Sequence, residues 1–535
     1  MQRIILLTVV SISLSISLIS SLGAAGVTKI DLLNEAADVQ ILSATGGLSL
    51  ASVTAGDCNG DGFDDVIMRG LVGTVVTVIF GREDLSGVLQ LSEDKQPDLV
   101  ITNLGYVSLP FPDVTVGDIN GDHIVDLLIV DEDGLQVFWG RKKWPARIDM
   151  RTDKPDLRII AKGKRVPKSS ATGLVTTGDI NNDGIPDLLF THAYSPPSPR
   201  VPGDALPMKE EWTTHTQEVA WIFWGKKSWP KVIDLSKQKA DAVITAEQSN
   251  LGPHRIRPFR IADLDGDGFG DIIAGAWGDT RGTLDPPVGA PWSRGWFIRG
   301  RSHLPRNIEL KGLHSTQDLP PPKQRNQTLP LVIDAWTHGK FIGEGVYTGD
   351  FTGDGIEDVV FPVLKKGDGP FSITRELCLL TGNPDFFSNA GDVIERCSMI
   401  VGGASFQKVG PIFSPRPLSG DFNGDGHKDL FVMLEAPEFV WAALLGRKAF
   451  SSTVDIDAEA EVKIQTPIGA LERPGYGSSS AMGDVNGDGK ADLLIGDALG
   501  GIGPREKGGP GAVHIVLGRD LGNKGSGLAI RQHLD

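Results

Sequence analysis

The sequence predicts an all-β chain, a single seven-bladed β-propeller of four-stranded blades. Three observations carry that prediction. An oxygen-rich loop recurs seven times, each copy runs directly into a continuous apolar strand, and a second strand that closes on Gly follows in every repeat.

The loop is plainest in GDVNGDGKADLLIG, residues 483–496, where Asp484, Asn486, Asp488 and Asp492 stand at positions 1, 3, 5 and 9. Carboxylates crowded this closely repel one another unless solvent or a cation fills the loop. The donors are all oxygens, which suits calcium with its six to eight or so oxygen ligands; zinc would call for His and Cys. The backbone carbonyl of position 7, Lys490, would complete the set, and Gly489 at position 6 permits the sharp bend.

Asn, Asp and Gly also build metal-free turns for backbone reasons of their own, and one copy alone would leave that reading standing. Seven copies with one spacing favour metal. The others are Asp57, Asn59, Asp61 and Asp65; Asp118, Asn120, Asp122 and Asp126; Asp179, Asn181, Asp183 and Asp187; Asp263, Asp265, Asp267 and Asp271; Asp350, Thr352, Asp354 and Asp358; and Asp421, Asn423, Asp425 and Asp429. Successive loops start 61, 61, 84, 87, 71 and 63 residues apart, a repeat with insertions. The fourth loop has four carboxylates, the fifth replaces the amide with a hydroxyl, and the second has His123 where the others have Gly. A left-handed backbone is expected there, which a residue with a Cβ resists. The expected cofactor is therefore calcium, up to seven structural ions.

Each loop follows a stretch such as VTAGD or VTVGD and precedes an apolar run: DVIM, DLLIV, DLLF, DIIAG, DVVF, DLFVM or DLLIG. These runs lack the alternation of a half-wet strand, so both faces are expected to be covered. The Gly-closing strands are TVIFGR, LQVFWGR, WIFWGK, GWFIRGR, CLLTG, AALLGR and AVHIVLGR. A further element recurs as ARIDM with DLRIIA, KVIDL with DAVITA, STVDI with EVKIQ, and TKIDL with DVQILS. Four strands per unit and seven units describe the propeller, to which residues 27–535 are assigned. One outer strand is surplus: either DVQILS near the N-terminus or GLAIRQ near the C-terminus completes the last blade.

The formal charge of -16, from 52 basic and 68 acidic residues, is concentrated in the loops. Six loops of three carboxylates and one of four take 22, leaving 46 acids against 52 bases elsewhere. No nucleic-acid signal remains in that balance. Residues 1–25, with Arg3, an uncharged run from Ile4 to Leu22 and small residues after it, read as a secretory signal peptide. The alternative is a retained membrane anchor. Cys378 and Cys397 lie on what read as neighbouring strands, and form either a disulfide or two buried thiols. Cys58 has no evident partner.

In these loops and their blade count the chain resembles the FG-GAP and VCBS repeat families, and the propeller of integrin α-subunits in particular, over about residues 27–535. The Phe-Gly and Gly-Ala-Pro of the family name have mostly decayed, as in RPFRIADLDGDGFGDIIAGAWGD. The resemblance implies structural metal sites on one rim, at the Asp, Asn and Thr positions above, and ligand binding on the other. Dockerin-type loops lead into helices and Gly-rich nonapeptide rolls repeat back to back, so neither fits.

Connections from strand A to B share a rim with those from C to D, and B to C with D to A. Insertions 191–217 and 277–295 are read as B to C in blades three and four, and 311–341 as D to A into blade five, which crowds one sector of the metal-free rim. They bring Trp212, Trp277, Trp292 and Trp336, rings suited to stacking on sugars or gripping a protein. The Trp residues of FWGRKKWP (138–145) and FWGKKSWP (223–230) read instead as blade packing. The expected function is a secreted, monomeric, non-enzymatic scaffold binding an extracellular protein or glycan, with membrane contact only if the N-terminal segment is retained. The competing reading is a polysaccharide lyase or hydrolase, for which His192, Glu210, Glu211, His215, Asp279, His314 and His338 supply acid and base types.

Overall fold

Seven separate cores, one at each junction between neighbouring blades, hold the protein together. The computed structural model describes residues 27–32, 36–43, 50–70, 74–91, 97–105, 114–131, 133–161, 172–193, 216–247, 255–277, 293–310, 331–334, 340–342, 346–366, 373–387, 396–404, 417–435, 439–465, 480–497 and 511–521. Among these the chain is all-β, with one short α-helix, Ile456–Glu459, and its strands form seven sheets, each a blade.

In blade one, strands A to D are Leu50–Gly56, Asp65–Gly70, Val75–Ile79 and Leu99–Thr102, antiparallel throughout. The order repeats round the molecule. Consecutive A strands touch in a closed circle, that of blade seven (Ser480–Gly483) meeting that of blade one, which places them at the axis. Close approach there needs Gly at the strand end: a Cβ on Gly117 would stand 2.3 Å from Thr177 Oγ1.

The apolar runs become B strands, and Asp65–Gly70 and Asp126–Asp131 are buried at every residue. Both faces are covered by adjoining blades, hence the missing alternation. D strands alternate, as in Leu157–Ile160 and Val462–Gln465, because their outer positions meet solvent. Within the duplicated segments Trp144 and Trp229 are packing residues as expected, lying against the cores of junctions one–two and two–three.

Six blades gain a short fifth strand beyond the expected four. In five of them it comes from the next repeat's C to D connection and in blade six from the N-terminal segment, and it pairs parallel with the D strand, as Arg147–Asp149 does with Leu99–Thr102. This covers an edge that would otherwise present unpaired backbone groups. Blade four has four strands among the described residues.

The N-terminal segment settles which end closes the ring. Val39–Ser43 pairs antiparallel with Ala512–Val516 as the D strand of blade seven, and Thr28–Asp31 is the fifth strand of blade six. GLAIRQ lies outside the described residues.

One insertion is reassigned. Leu331–Asp334 is the D strand of blade four, paired with Ser293–Ile298, while Asn307–Leu310 joins blade three as its fifth strand. Residues 311–330 therefore belong to a C to D connection rather than D to A, which removes them from the set expected on the metal-free rim. The other two insertions do fall between B and C, after Asp187–Ala193 and Asp271–Trp277. Cys378 and Cys397 form a disulfide with Cα atoms 5.5 Å apart and a separation of 19 residues, a closure that contributes about 3 kcal/mol in the chain-entropy account. No helix among the described residues is long and apolar enough to cross a membrane.

Removing residues 27–49 should open the ring, since blade seven then loses its D strand and the 0%-exposed Val39 from the closing core. The shortened chain is expected to lose cooperative thermal unfolding by circular dichroism; an unchanged monomeric melt would refute the closure.

Candidate metal centres

Every loop bends in the same way because the Asp at position 1 accepts several backbone N–H groups. Asp57 Oδ1 accepts from Gly60 and Asp61 at 2.6 and 3.1 Å, and Oδ2 from Gly62 at 2.9 Å. The same capping recurs at Asp118, Asp179, Asp263, Asp350, Asp421 and Asp484. Position 3 joins in: Asn59 Oδ1 accepts the Asp61 N–H at 2.9 Å, as do Asn120, Asn181, Asn423 and Asn486 from their own position 5. Position 5 then accepts from position 7, as in Phe63 N–H to Asp61 Oδ1 at 3.0 Å. The turn thus gathers positions 1, 3 and 5 around one spot.

Position 9 stands deeper and holds strand ends. Asp65, Asp126, Asp187, Asp271, Asp358, Asp429 and Asp492 are all 0% exposed. In each, one oxygen accepts the N–H of position 2 and the other that of the Gly closing strand C, as in Cys58 and Gly81 to Asp65 at 2.9 and 3.0 Å. Burial nevertheless dominates and pushes these carboxyls up, to about 8 at Asp126 and Asp271, about 7 at Asp65, Asp187, Asp429 and Asp492, and about 6 at Asp358. Cys58, free and buried, does have a partner: its thiol donates to Asp65 Oδ2 at 2.9 Å.

The loops also join blade to blade, which the sequence did not show. The position-2 carbonyl accepts the N–H of the residue after the closing Gly of the next blade at all seven junctions, from Arg141 to Cys58 at 3.0 Å round to Arg82 to Val485 at 3.0 Å. The position-1 carbonyl accepts from position 8 of the next loop at six, as in Ala491 to Asp421 at 2.8 Å. At the junction of blades two and three position 8 is Pro186, which has no N–H to donate.

Four loops depart from the pattern, the third through Asn182, which takes at φ +55° the left-handed place that Gly holds in the others. His123 takes the left-handed backbone that Gly takes elsewhere, with φ +70°. In the fifth loop Thr352 Oγ1 is buried without a partner. In the fourth, Asp263, Asp265 and Asp267 bring oxygens within 4.8 Å of one another. There Asp265 Oδ1 is buried and unpartnered, while its Oδ2 and Asp267 Oδ2 hold Arg299 at 2.7 and 2.8 Å. Arg299 precedes the closing Gly, where the other blades have Phe80, Trp139, Trp224, Thr381, Leu445 and Leu517. The one loop with an extra acid is matched by the one base at that place, a signal present in the sequence and missed there.

An all-oxygen donor set with orphaned buried oxygens at position 3 of two loops fits a hard divalent cation. Of the acid and base candidates for catalysis, Glu210, Glu211, His215, Asp279, His314 and His338 lie outside the described residues, and of His192 only the backbone is described. The same holds for Trp212, Trp292 and Trp336, and for the side chain of Trp277.

Two outcomes follow from this geometry. His123→Gly should raise stability by about 1 kcal/mol by relieving the left-handed strain, read by urea unfolding; a loss would show that the imidazole contributes more than the backbone costs. Without a bound cation, the position-9 carboxyls hold protons more tightly folded than unfolded, where they titrate near about 4. Metal-free protein should therefore lose stability as pH rises from about 4 to 8. Melts in chelator at pH 5 and pH 8 check the sign, and a Tm that climbs with pH contradicts it.

Residues 118–190 and 421–495 match the family model described as an FG-GAP-like repeat, and residues 476–516 that described as an FG-GAP repeat. Integrin alpha-PS5 of Drosophila melanogaster is 24% identical over 251 residues, which are 44% of this chain but 20% of that relative's length. Among solved structures, an Agrocybe aegerita lectin described as recognising non-reducing terminal N-acetylglucosamine aligns over 77% of this chain and 82% of its own, at 16% identity and a TM-score of 0.36. The V. cholerae biofilm matrix protein Bap1 aligns over 83% and 73%, at 11% identity and a TM-score of 0.27. A Bacillus licheniformis rhamnogalacturonan lyase aligns over 59% and 48%, at 13% and 0.26. Likenesses at these TM-scores carry no argument about ligand or chemistry. The matched segments contain the loops that start at Asp118, Asp179, Asp421 and Asp484, so the chain is a seven-bladed β-propeller that carries FG-GAP-like repeats and is similar in part to an integrin α chain.

Proposed function

We propose that the protein is a secreted propeller whose seven loops bind structural calcium and whose B to C insertions present a binding surface to an extracellular protein or glycan. One observation supports this above the others. The loop geometry is repeated seven times, and two of its position-3 oxygens are buried with nothing to pair with. Positions 1, 3 and 5 of each loop would hold the ion, with position 9 behind them, and the ion supplies the positive charge that crowded carboxylates need. The weak binding usual for extracellular calcium modules, roughly 0.1 to 1 mM, suits an exported protein, and the integrin α likeness supports an extracellular setting. Long connections on a rigid scaffold are where recognition commonly resides, which supports residues 194–215 and 278–292 as the binding surface.

At neutral pH excess EGTA should lower the Tm sharply and millimolar calcium should restore it. A melting curve indifferent to EGTA, or elemental analysis finding no calcium at millimolar supply, overturns the reading.

A further inference from the structure

A surface pocket lies at the junction of blades three and four, where two features of the neighbouring junctions are missing together. Three residues after the residue that bonds the position-2 carbonyl, blades two and three carry Trp144 and Trp229. Each indole N–H donates to that same carbonyl, Cys58 O at 2.9 Å and Ile119 O at 3.0 Å. Each ring shares a junction core with the aromatic residue before the preceding blade's closing Gly, Phe80 or Trp139. Blade four has Leu304 at that place, sharing its core with Trp224. Leucine has neither the breadth nor the donor.

The second departure lies in blade three. The acid just before strand D accepts the N–H of the residue before the closing Gly: Asp156 from Trp139, Glu461 from Leu445, Asp38 from Leu517, and Asp241 from Trp224. In blades two, six and seven the arginine after that Gly covers the acid, through Arg141 with Asp156, Arg447 with Glu461, and Arg519 with Asp38 at 2.5 Å. Blade three has Lys226 instead, turned onto Trp229 with its ammonium 4.5 Å from the ring centroid. Asp241 is left without that cover.

At the junction of blades three and four these residues border an open surface pocket of about 360 Å³, lined by Trp224, Lys239, Asp241, His303, Leu304 and Arg306. That volume is at the lower end of small-ligand pockets, about 300 to 1,000 Å³. Its chemistry is specific. Among the described residues Lys239 and Arg306 make no side-chain hydrogen bond or ion pair, and His303 meets only the hydroxyl of Ser302, at 3.1 Å. Two free cations and an imidazole against one carboxylate make the lining net positive in a chain of formal charge -16.

We infer that this cavity binds one residue of an anionic saccharide. The half-buried Trp224 offers its ring to the apolar face of a pyranose, in the space an indole fills at the two preceding junctions. Asp241 accepts from a sugar hydroxyl. Lys239 and Arg306 pair with the carboxylate or sulfate, which a neutral sugar lacks. The site is formed by C to D connections, so it is separate from the B to C insertions. It rests on the reading of the protein as a binding scaffold only in taking a glycan as ligand.

The test uses the full mature chain with calcium present and isothermal titration against three probes: oligogalacturonate, its methyl ester, and sulfated dextran oligosaccharide. Oligogalacturonate or the sulfated probe should bind, with the methyl ester at least tenfold weaker. Which of the two binds more tightly identifies the anion. Leu304→Trp restores the side chain of blades two and three, and should abolish binding while leaving Tm unchanged or higher. Lys239→Ala with Arg306→Ala should weaken binding at least tenfold and flatten its salt dependence. Absence of binding by all three probes, or binding undiminished in Leu304→Trp, overturns the proposal. Undiminished binding in that variant with an intact calcium response would leave the scaffold reading standing while removing this site.

Discussion

Everything in this ring depends on one short turn doing two jobs, one with a buried carboxylate and one with its backbone. Its position-9 carboxylate receives N–H groups from the head of its own loop and from the end of strand C. Its first two carbonyls receive N–H groups from the neighbouring blade. The acids are therefore not a decoration on a finished sheet. They fix where strands A, B and C of one blade end and where the next blade must begin, and they concentrate negative charge in doing so. A buried carboxylate with two backbone donors is well satisfied as a hydrogen-bond acceptor yet still costly as a charge. That conflict is what gives a cation something to resolve.

The distribution of the apolar residues follows from the same joint. Because each core belongs to a junction rather than to a blade, no blade can be stable alone, and the ring has to close for the last core to form. Closure by Val39–Ser43 makes the earliest and latest parts of the chain neighbours, with Gln40 Nε2 3.1 Å from His514 Nδ1. Contacts of such sequence separation are slow to form, and a short β edge covered by Gly87–Leu91 protects the seam once made.

What the sequence disclosed was local. The loops, the B strands and the Gly-closing strands were legible because each is a contiguous pattern whose period reports its burial. What it hid was pairing between distant segments. NIEL and LVID look alike as short apolar strands, and only their partners show that the first belongs to blade three and the second to blade four. The choice of terminus for closure was hidden for the same reason. Arg299 and Leu304 were visible as letters, but their meaning needed the repeats laid over one another in space, so that an unmatched acid met its base and a missing indole left room. The long insertions fall outside the described residues, so their tryptophans stay where the sequence left them.

Pro186 leaves the ring mechanically uneven. Six boundaries between blades are held at the rim by a pair of backbone bonds, and the boundary between blades two and three by a single one. At that boundary the indole N–H of Trp229 donates to the same Ile119 carbonyl that accepts from Lys226, so a side chain supplies a second bond where the imino acid withholds its own.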